Sequence, residues 1–198
     1  APWQTVYYYF RRWREEGRLQ CLLSALRRTV RREEGRKGEP SALIVDCQSV
    51  ATSRTGGISS YDAYKNVKGR KRHLAVDTEG LPWNVLVHAA GDHESRWALQ
   101  VLTPIRGRTD RDKTVFADSA YRGLEGEIKN KLDWTLDIVE REDEDSGFSV
   151  DPKRWIVERT FSWLGGWRRL NRDYERKTDT SETMVRAALL RIALNRLS

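Results

Sequence analysis

The sequence predicts a mixed α/β fold, in which helices cover a β-sheet and a small α-helical segment precedes it. Three observations support this prediction. Five short β-rich runs follow residue 41, and helical patterns separate the later runs. Two amphipathic helical patterns come before them, and a charged stretch with Gly and Pro divides the two parts of the chain. Strands that first meander and then alternate with helices are typical of a mixed sheet flanked by helices.

The N-terminal part predicts a helical hairpin. Apolar residues from Val6 to Trp13 recur at helical spacing, and a leucine-rich pattern restarts after Gly17. The stretch RREEGRKGEPS then has the composition of a linker. We therefore predict one unit in residues 1–38 and a second, larger unit in residues 39–198.

Strands and helices alternate in the larger unit. The β-rich runs are ALIVDCQSV, KRHLAVDTEG, PWNVLVHAAG, KTVFADSAYR and WTLDIVERE. The turn-rich connection DTEGLP predicts an antiparallel hairpin between the second and third runs. The helical patterns are HESRWALQVLTPIR, GLEGEIKNKL, PKRWIVERTFSWLGGWRRL and SETMVRAALLRIALNRLS.

The charge of the chain favours a polyanionic partner. Its 198 residues carry a net charge of +7, and residues 1–40 and 54–72 each carry an excess of basic residues. A solvated charged face is the alternative interpretation. Two cysteines are too few for a disulfide framework, and no run of apolar residues is long enough to cross a membrane, so we expect a cytoplasmic protein without a membrane partner.

Three carboxylates are candidates for a catalytic metal site. Asp46 follows ALIV and Asp118 follows TVFA, so each emerges at or near the end of a predicted strand, where sites in α/β sheets usually form. Glu158 lies on a predicted helix, with Arg154 one turn earlier on the same face. Carboxylates that converge from two strands and a helix can hold two divalent cations, and Mg²⁺ suits an all-oxygen site.

Each of these carboxylates also has a purely structural interpretation. Asp118 can cap the following turn, and Asp46 can order the residues after it. Glu158 can pair with Arg154 or Arg159 at the surface. Spacing alone does not choose between the two interpretations.

Four sequence blocks occur in one order, namely DCQSVAT, YKNVKGRKRHLAVDTEGL, FADSAYRG and VERTFSWLGGWRRLNRDYER. Together they resemble the catalytic domain of bacterial transposases of the insertion sequence 5 family, over almost the whole chain. The resemblance implies a ribonuclease-H-like fold whose two aspartates and one glutamate are Asp46, Asp118 and Glu158. It also implies that residues 1–38 are an incomplete helical DNA-binding segment and residues 39–198 the catalytic domain.

The resemblance is weaker around the last acid. Related transposases carry a tyrosine, an arginine, a glutamate and a lysine there, and Arg154 and Glu158 occupy the second and third of these positions. Asp151 stands at the tyrosine position and Gly165 at the lysine position. Arg168 or Arg169 is therefore the candidate substitute for the phosphate-binding lysine.

By this resemblance the chain hydrolyses a phosphodiester at the terminal inverted repeats of a mobile element and joins the freed 3′-hydroxyl to target DNA. The implied cofactors are two Mg²⁺ ions, for which Mn²⁺ can substitute, and the implied partners are double-stranded DNA and a second copy in a homodimeric synaptic complex. The implied location is the bacterial cytoplasm, in association with the nucleoid. Two other functions stay open: a transposase-derived DNA-binding repressor that does not cut, and a metal-dependent nuclease that does not join.

Basic side chains are the candidate DNA contacts, because phosphate contacts dominate affinity for DNA. We interpret YKNVKGRKRH as a loop that clamps the DNA backbone, with a flexible solvated loop as the alternative. The candidate DNA-binding residues are Arg11, Arg12, Arg14, Lys65, Lys68, Arg70, Lys71, Arg72, Arg122, Arg154, Arg168 and Arg169.

Overall fold

A mixed β-sheet forms the centre of the computed structural model, which describes residues 1–54, 57–109, 111–139 and 153–197. Within those residues the sheet has six strands in the order β2-β3-β1-β5-β6, and β4 also pairs with β3. The strands are β1 (Ala42–Ala51), β2 (Ser60–Asp62), β3 (Val67–Asp77), β4 (Pro82–Ala89), β5 (Thr114–Ala117) and β6 (Thr135–Ile138).

The pairing of the strands matches the predicted mixture of meander and crossover. Strands β3 and β4 form the predicted antiparallel hairpin, and β3 is also antiparallel to β1. Strand β5 is parallel to β1, and β6 is parallel to β5. The helical connections that precede and follow β5 are the crossovers that parallel strands require. This mixed sheet is consistent with the ribonuclease-H-like fold that the resemblance implied.

Six α-helices flank the sheet in the part of the chain that the structure describes. They are α1 (Trp3–Glu15), α2 (Arg18–Glu33), α3 (Ala98–Arg106), α4 (Glu125–Leu132), α5 (Arg154–Gly165) and α6 (Thr178–Leu194). Short 3₁₀ turns precede α3 at Glu94–Trp97, follow β5 at Ser119–Tyr121 and follow α5 at Arg168–Leu170. No helix in the described ranges is both long and apolar enough to cross a membrane.

Alternation along the strands divides the apolar side chains between two cores. Leu43 and Val45 of β1 belong to the core that α3 and α4 cover, whereas Ile44 belongs to the core that α2, α5 and α6 cover. Successive residues of a strand point to opposite faces of the sheet, so an almost continuous apolar run is expected where both faces are buried. The central strand β1 is such a strand.

Helix α2 is part of the main core. Leu23 and Val30 are buried in the cluster that also contains residues of β1, β3 and α6. Arg31 of α2 is buried and lies 3.0 Å from a carboxylate oxygen of buried Asp77, at the end of β3. The boundary near residue 38 remains a prediction, but the helical segment and the sheet share apolar and ionic contacts.

One predicted loop was wrong. The segment YKNVKGRKRH was expected to be a loop before a strand, but β3 already begins at Val67. Its residues pair with β1 on one side and with β2 and β4 on the other. Backbone hydrogen bonds to neighbours on both sides override the high charge of the segment, because the charged side chains find acceptors inside the protein.

Candidate functional site

Asp46 and Asp118 lie side by side because of the register of two parallel strands. Ile44 of β1 is paired with Phe116 of β5. Asp46 lies two residues after Ile44, and Asp118 lies two residues after Phe116. Asp118 directly follows β5, whereas Asp46 lies within β1, which continues to Ala51. Since residues i and i+2 of a strand share a face and neighbouring strands lie about 4.8 Å apart, the two carboxylates are neighbours. The structure brings these two sequence-predicted residues together.

A third carboxylate, Glu94, completes the cluster. One carboxylate oxygen from each of Asp46, Glu94 and Asp118 lies within 4.8 Å of the other two. Glu94 is the first residue of the 3₁₀ turn after β4, and it is almost fully buried. Sequence reasoning missed Glu94, although an acidic residue at the start of a helical pattern directly after a strand was a signal that could have found it.

The three neighbouring carboxylates repel one another when they are ionised, and the pKa values of Asp46 and Asp118 are raised. Burial of the Asp46 carboxyl, together with the charges of Asp118 and Glu94, raises the pKa of Asp46 from 3.8 to about 7. Burial and the charge of Glu94 also raise the pKa of Asp118. One hydrogen bond lowers the pKa of Asp46 and so offsets part of this rise. The backbone N–H of Cys47 donates it to Oδ1 of Asp46 at 2.7 Å.

Two lysines approach the cluster from the side of Glu94. The Nζ atom of Lys71 lies 3.4 Å from Oε1 of Glu94, and the Nζ atom of Lys65 lies 3.7 Å from the same oxygen. Lys65 also donates a hydrogen bond of 3.2 Å to the carbonyl oxygen of Cys47. These ammonium groups offset part of the repulsion among the three carboxylates.

Glu158 does not belong to the group of three. It lies on α5, its side chain is 47% exposed, and its Oε1 accepts a hydrogen bond of 2.9 Å from Nε of Arg154. Arg154 lines the same pocket as Asp46 and Asp118, together with apolar residues of β1, β5 and α5. Glu158 is thus one helical turn away from a residue of the pocket, and its assignment as the third catalytic acid stays a prediction.

The three predicted acids also make the local contacts that their structural interpretations predicted. Asp118 accepts a hydrogen bond from the backbone N–H of Ala120 and so caps the following 3₁₀ turn. Asp46 accepts its bond from the backbone of its own neighbour, and Glu158 pairs with Arg154. For Asp46 and Asp118 a local structural role therefore coexists with membership of the cluster.

Three predicted DNA contacts lie inside the protein. Arg70 is 0% exposed, bonds to the carbonyl oxygens of residues 58, 175 and 176, and pairs with Asp173 at 3.2 Å. Arg72 is 1% exposed and donates to the carbonyl oxygen of residue 170. Lys71 is also buried, near Glu94. Charges that are satisfied internally in this way are not presented on the surface.

The other predicted DNA contacts are distributed between the surface and partly buried positions. Arg14 bonds to Thr180 at the start of α6, and Arg154 lines the pocket. Lys65 approaches Glu94. The exposed members of the predicted set are Arg11, Arg12, Lys65, Lys68, Arg122, Arg168 and Arg169. Asp151, at the tyrosine position of the signature, lies outside the described residues.

Two comparisons with known proteins agree with this geometry. Residues 37–193 match the family described as the transposase DDE domain. Over 191 residues the chain is 26% identical to a Burkholderia cepacia protein named "Putative transposase for insertion sequence element IS402", and the match covers 90% of this chain and 89% of that protein. The range matched by the family contains all three carboxylates of the cluster.

Proposed function

The chain belongs to the transposase DDE domain family, and from that premise we propose that it cleaves and joins DNA at the terminal inverted repeats of an insertion sequence. The resemblance read from the four sequence blocks is confirmed for a bacterial DDE insertion-sequence transposase. Its narrower assignment to the insertion sequence 5 family stays a prediction. The observation that supports the proposal best is the pair of neighbouring carboxylates, Asp46 within β1 and Asp118 directly after the parallel strand β5.

Transposases of this family use divalent metal ions, and the donor set of this chain fits them. The cluster offers only carboxylate oxygens, which are the ligands that Mg²⁺ and Mn²⁺ prefer. We propose that Asp46 and Asp118 hold two such ions together with the predicted Glu158. When bound, the ions neutralise charge on a phosphodiester and activate the attacking oxygen.

The protein's own residues supply the rest of the proposed site. Arg154 lines the pocket beside Asp46 and Asp118, so its guanidinium can orient a DNA phosphate there. Its hydrogen bond to Glu158 links the phosphate-binding group to the predicted third acid. The apolar lining around these residues, which includes Phe116, limits access of bulk water to the carboxylates.

DNA binding, which the transposase family implies, is proposed to use the exposed basic residues. Arg122 follows the 3₁₀ turn that Asp118 caps, so it stands near the cluster in sequence and on the surface. Arg168 and Arg169 lie on the short turn after α5. Each contact of this kind contributes salt-dependent affinity and carries no sequence information by itself. Homodimerisation in a synaptic complex is part of the same proposal.

The test of this function is cleavage and strand transfer on labelled duplex DNA that carries the element's terminal repeats, in the presence of Mg²⁺ or Mn²⁺. We expect nicked and joined products from the wild type and none from Asp118→Asn. A matched control is Asp133→Asn, because Asp133 is an exposed carboxylate in the connection between α4 and β6. The control is expected to retain full activity.

The other possible results separate the alternative functions. Binding without cleavage under either metal would favour a repressor derived from a transposase. Cleavage without joined products would favour a nuclease. Equal activity of the wild type and Asp118→Asn would exclude the proposed carboxylate site.

A further inference from the structure

We infer that Glu94 is a ligand of the first divalent cation that this chain binds in the absence of DNA, and that Lys71 positions it. The inference rests on the proposed function, because it concerns the same site. It adds two residues that neither the four sequence blocks nor the aspartate and glutamate triad assigned to the metal.

The first argument is the place of Glu94 relative to the two aspartates. An oxygen of Glu94 lies within 4.8 Å of oxygens of both Asp46 and Asp118. An octahedral Mg²⁺ has ligand oxygens at about 2.1 Å, so two of its ligands lie about 3 to 4 Å apart. A small side-chain adjustment is enough to bring the three carboxylates onto one ion. Glu158 instead directs its oxygen to Arg154.

The second argument is the way in which Glu94 is held. The ammonium group of Lys71 lies 3.4 Å from Glu94 and 3.6 Å from Asp62, and it donates a hydrogen bond of 3.2 Å to the carbonyl oxygen of Asp92. The Lys71 side chain is only 8% exposed. Three polar partners at one buried ammonium group fix the direction from which Glu94 enters the site. Lys65 also approaches Glu94, but its side chain is 36% exposed and less constrained.

The third argument is the burial of Glu94. Three carboxylates brought together with little solvent repel one another, and each loses hydration. Glu94 could avoid this cost at the surface, where the neighbouring residue His93 is exposed. Its buried position against Lys71 is therefore specific, and a cation shared with Asp46 and Asp118 is the partner that offsets the remaining negative charge.

The first experiment measures Mn²⁺ affinity of the whole chain without DNA, by isothermal titration calorimetry. We expect Glu94→Gln and Asp118→Asn each to weaken affinity by at least about tenfold, and Glu158→Gln to change it by less than about threefold. Normal affinity of Glu94→Gln with weakened affinity of Asp118→Asn would overturn the inference and leave the proposed function standing. Normal affinity of both variants would refute the metal site of the proposed function itself.

The second experiment separates positioning by Lys71 from a simple effect of its charge. Removing a positive charge beside a cation site raises cation affinity by electrostatics alone. In a folded Lys71→Met variant, a loss of affinity therefore indicates a misplaced Glu94 and not the missing charge. We expect a loss of about tenfold for Lys71→Met and recovery to within about threefold of the wild type for Lys71→Arg. A gain of affinity in Lys71→Met would overturn the positioning role.

The same variants test whether Lys71 touches DNA instead. A phosphate contact contributes about one unit to the slope of log affinity against log salt concentration. We expect this slope to be unchanged in Lys71→Met, and a reduced slope would assign Lys71 to the DNA surface. Thermal unfolding checks that Lys71→Met folds, since it leaves Asp62 and Glu94 without their ammonium partner. If it does not fold, Glu94→Gln decides the ligand role, and Lys71→Gln, whose amide can still donate to Glu94, replaces Lys71→Met in the positioning test.

Discussion

Replacement of Asp46 by asparagine is expected to stabilise the metal-free chain at neutral and alkaline pH. The pKa of Asp46 is raised from 3.8 to about 7, chiefly by burial and then by Asp118 and Glu94. Between these two pH values the native chain holds a proton that the unfolded chain has released. The free energy of unfolding of the wild type therefore falls as the pH rises through this window, whereas the side-chain amide of the variant has no proton to lose.

The size of the effect follows from the pKa shift. One pKa unit corresponds to about 1.4 kcal/mol, and the part of the window above about pH 5 spans roughly two units. Between pH 5 and pH 8 we expect the stability of Asp46→Asn relative to the wild type to increase by about 2 to 3 kcal/mol. The amide oxygen of the variant can still accept the hydrogen bond from the backbone of Cys47, so the local structure is retained.

The assay is urea denaturation of both proteins in EDTA at pH 5 and pH 8. The difference between the two proteins is the quantity of interest, because groups shared by both cancel from it. A difference that stays constant between pH 5 and pH 8 would refute the reasoning, since it would mean that Asp46 titrates alike in the native and unfolded chains. Added Mg²⁺ should reverse the order at pH 8, because only the wild type keeps all its carboxylate ligands.

Two further predictions concern stability away from the site. Arg31→Met leaves Asp77 with an unpaired buried charge and should cost about 3 to 5 kcal/mol in urea denaturation. Arg11→Met, at the exposed ion pair with Glu15, should cost less than about 1 kcal/mol, and equal costs would contradict the role of burial. Gly69→Ala places a Cβ 1.9 Å from a carbonyl oxygen of β1 and should lower the free energy of unfolding by about 3 kcal/mol or more. The control Gly126→Ala on α4 meets open space and should raise the free energy of unfolding by about 0.5 to 1 kcal/mol. A tolerated Gly69→Ala would show that β1 and β3 can separate.

The pair of aspartates followed from local patterns. An apolar run that ends on a carboxylate predicts a strand that carries this carboxylate to the site, and both Asp46 and Asp118 lie there. Only Asp118 stands at a strand end, because pairing with β3 extends β1 to Ala51. The hairpin between β3 and β4 was readable from its turn residues. These features depend on neighbours along the chain, which is the information that a single sequence contains.

Charge was a poorer guide than apolar pattern. The basic run at residues 65–72 suggested a DNA-binding loop, yet Arg70 and Arg72 are buried. Most of their partners are carbonyl oxygens about one hundred residues later in the chain, which no local pattern connects to them. Whether an arginine faces solvent or the interior depends on which distant segment covers it.

By itself the sequence determined the alternation of strands and helices, the two aspartates that follow apolar runs and, through the resemblance, the transposase family. Only the tertiary structure decided that Glu94 joins these aspartates and that Glu158 pairs with Arg154. The physical reason is that apolar periodicity and turn chemistry are local, whereas the approach of a 3₁₀ turn to two neighbouring strands depends on how β4 and α3 pack against the sheet.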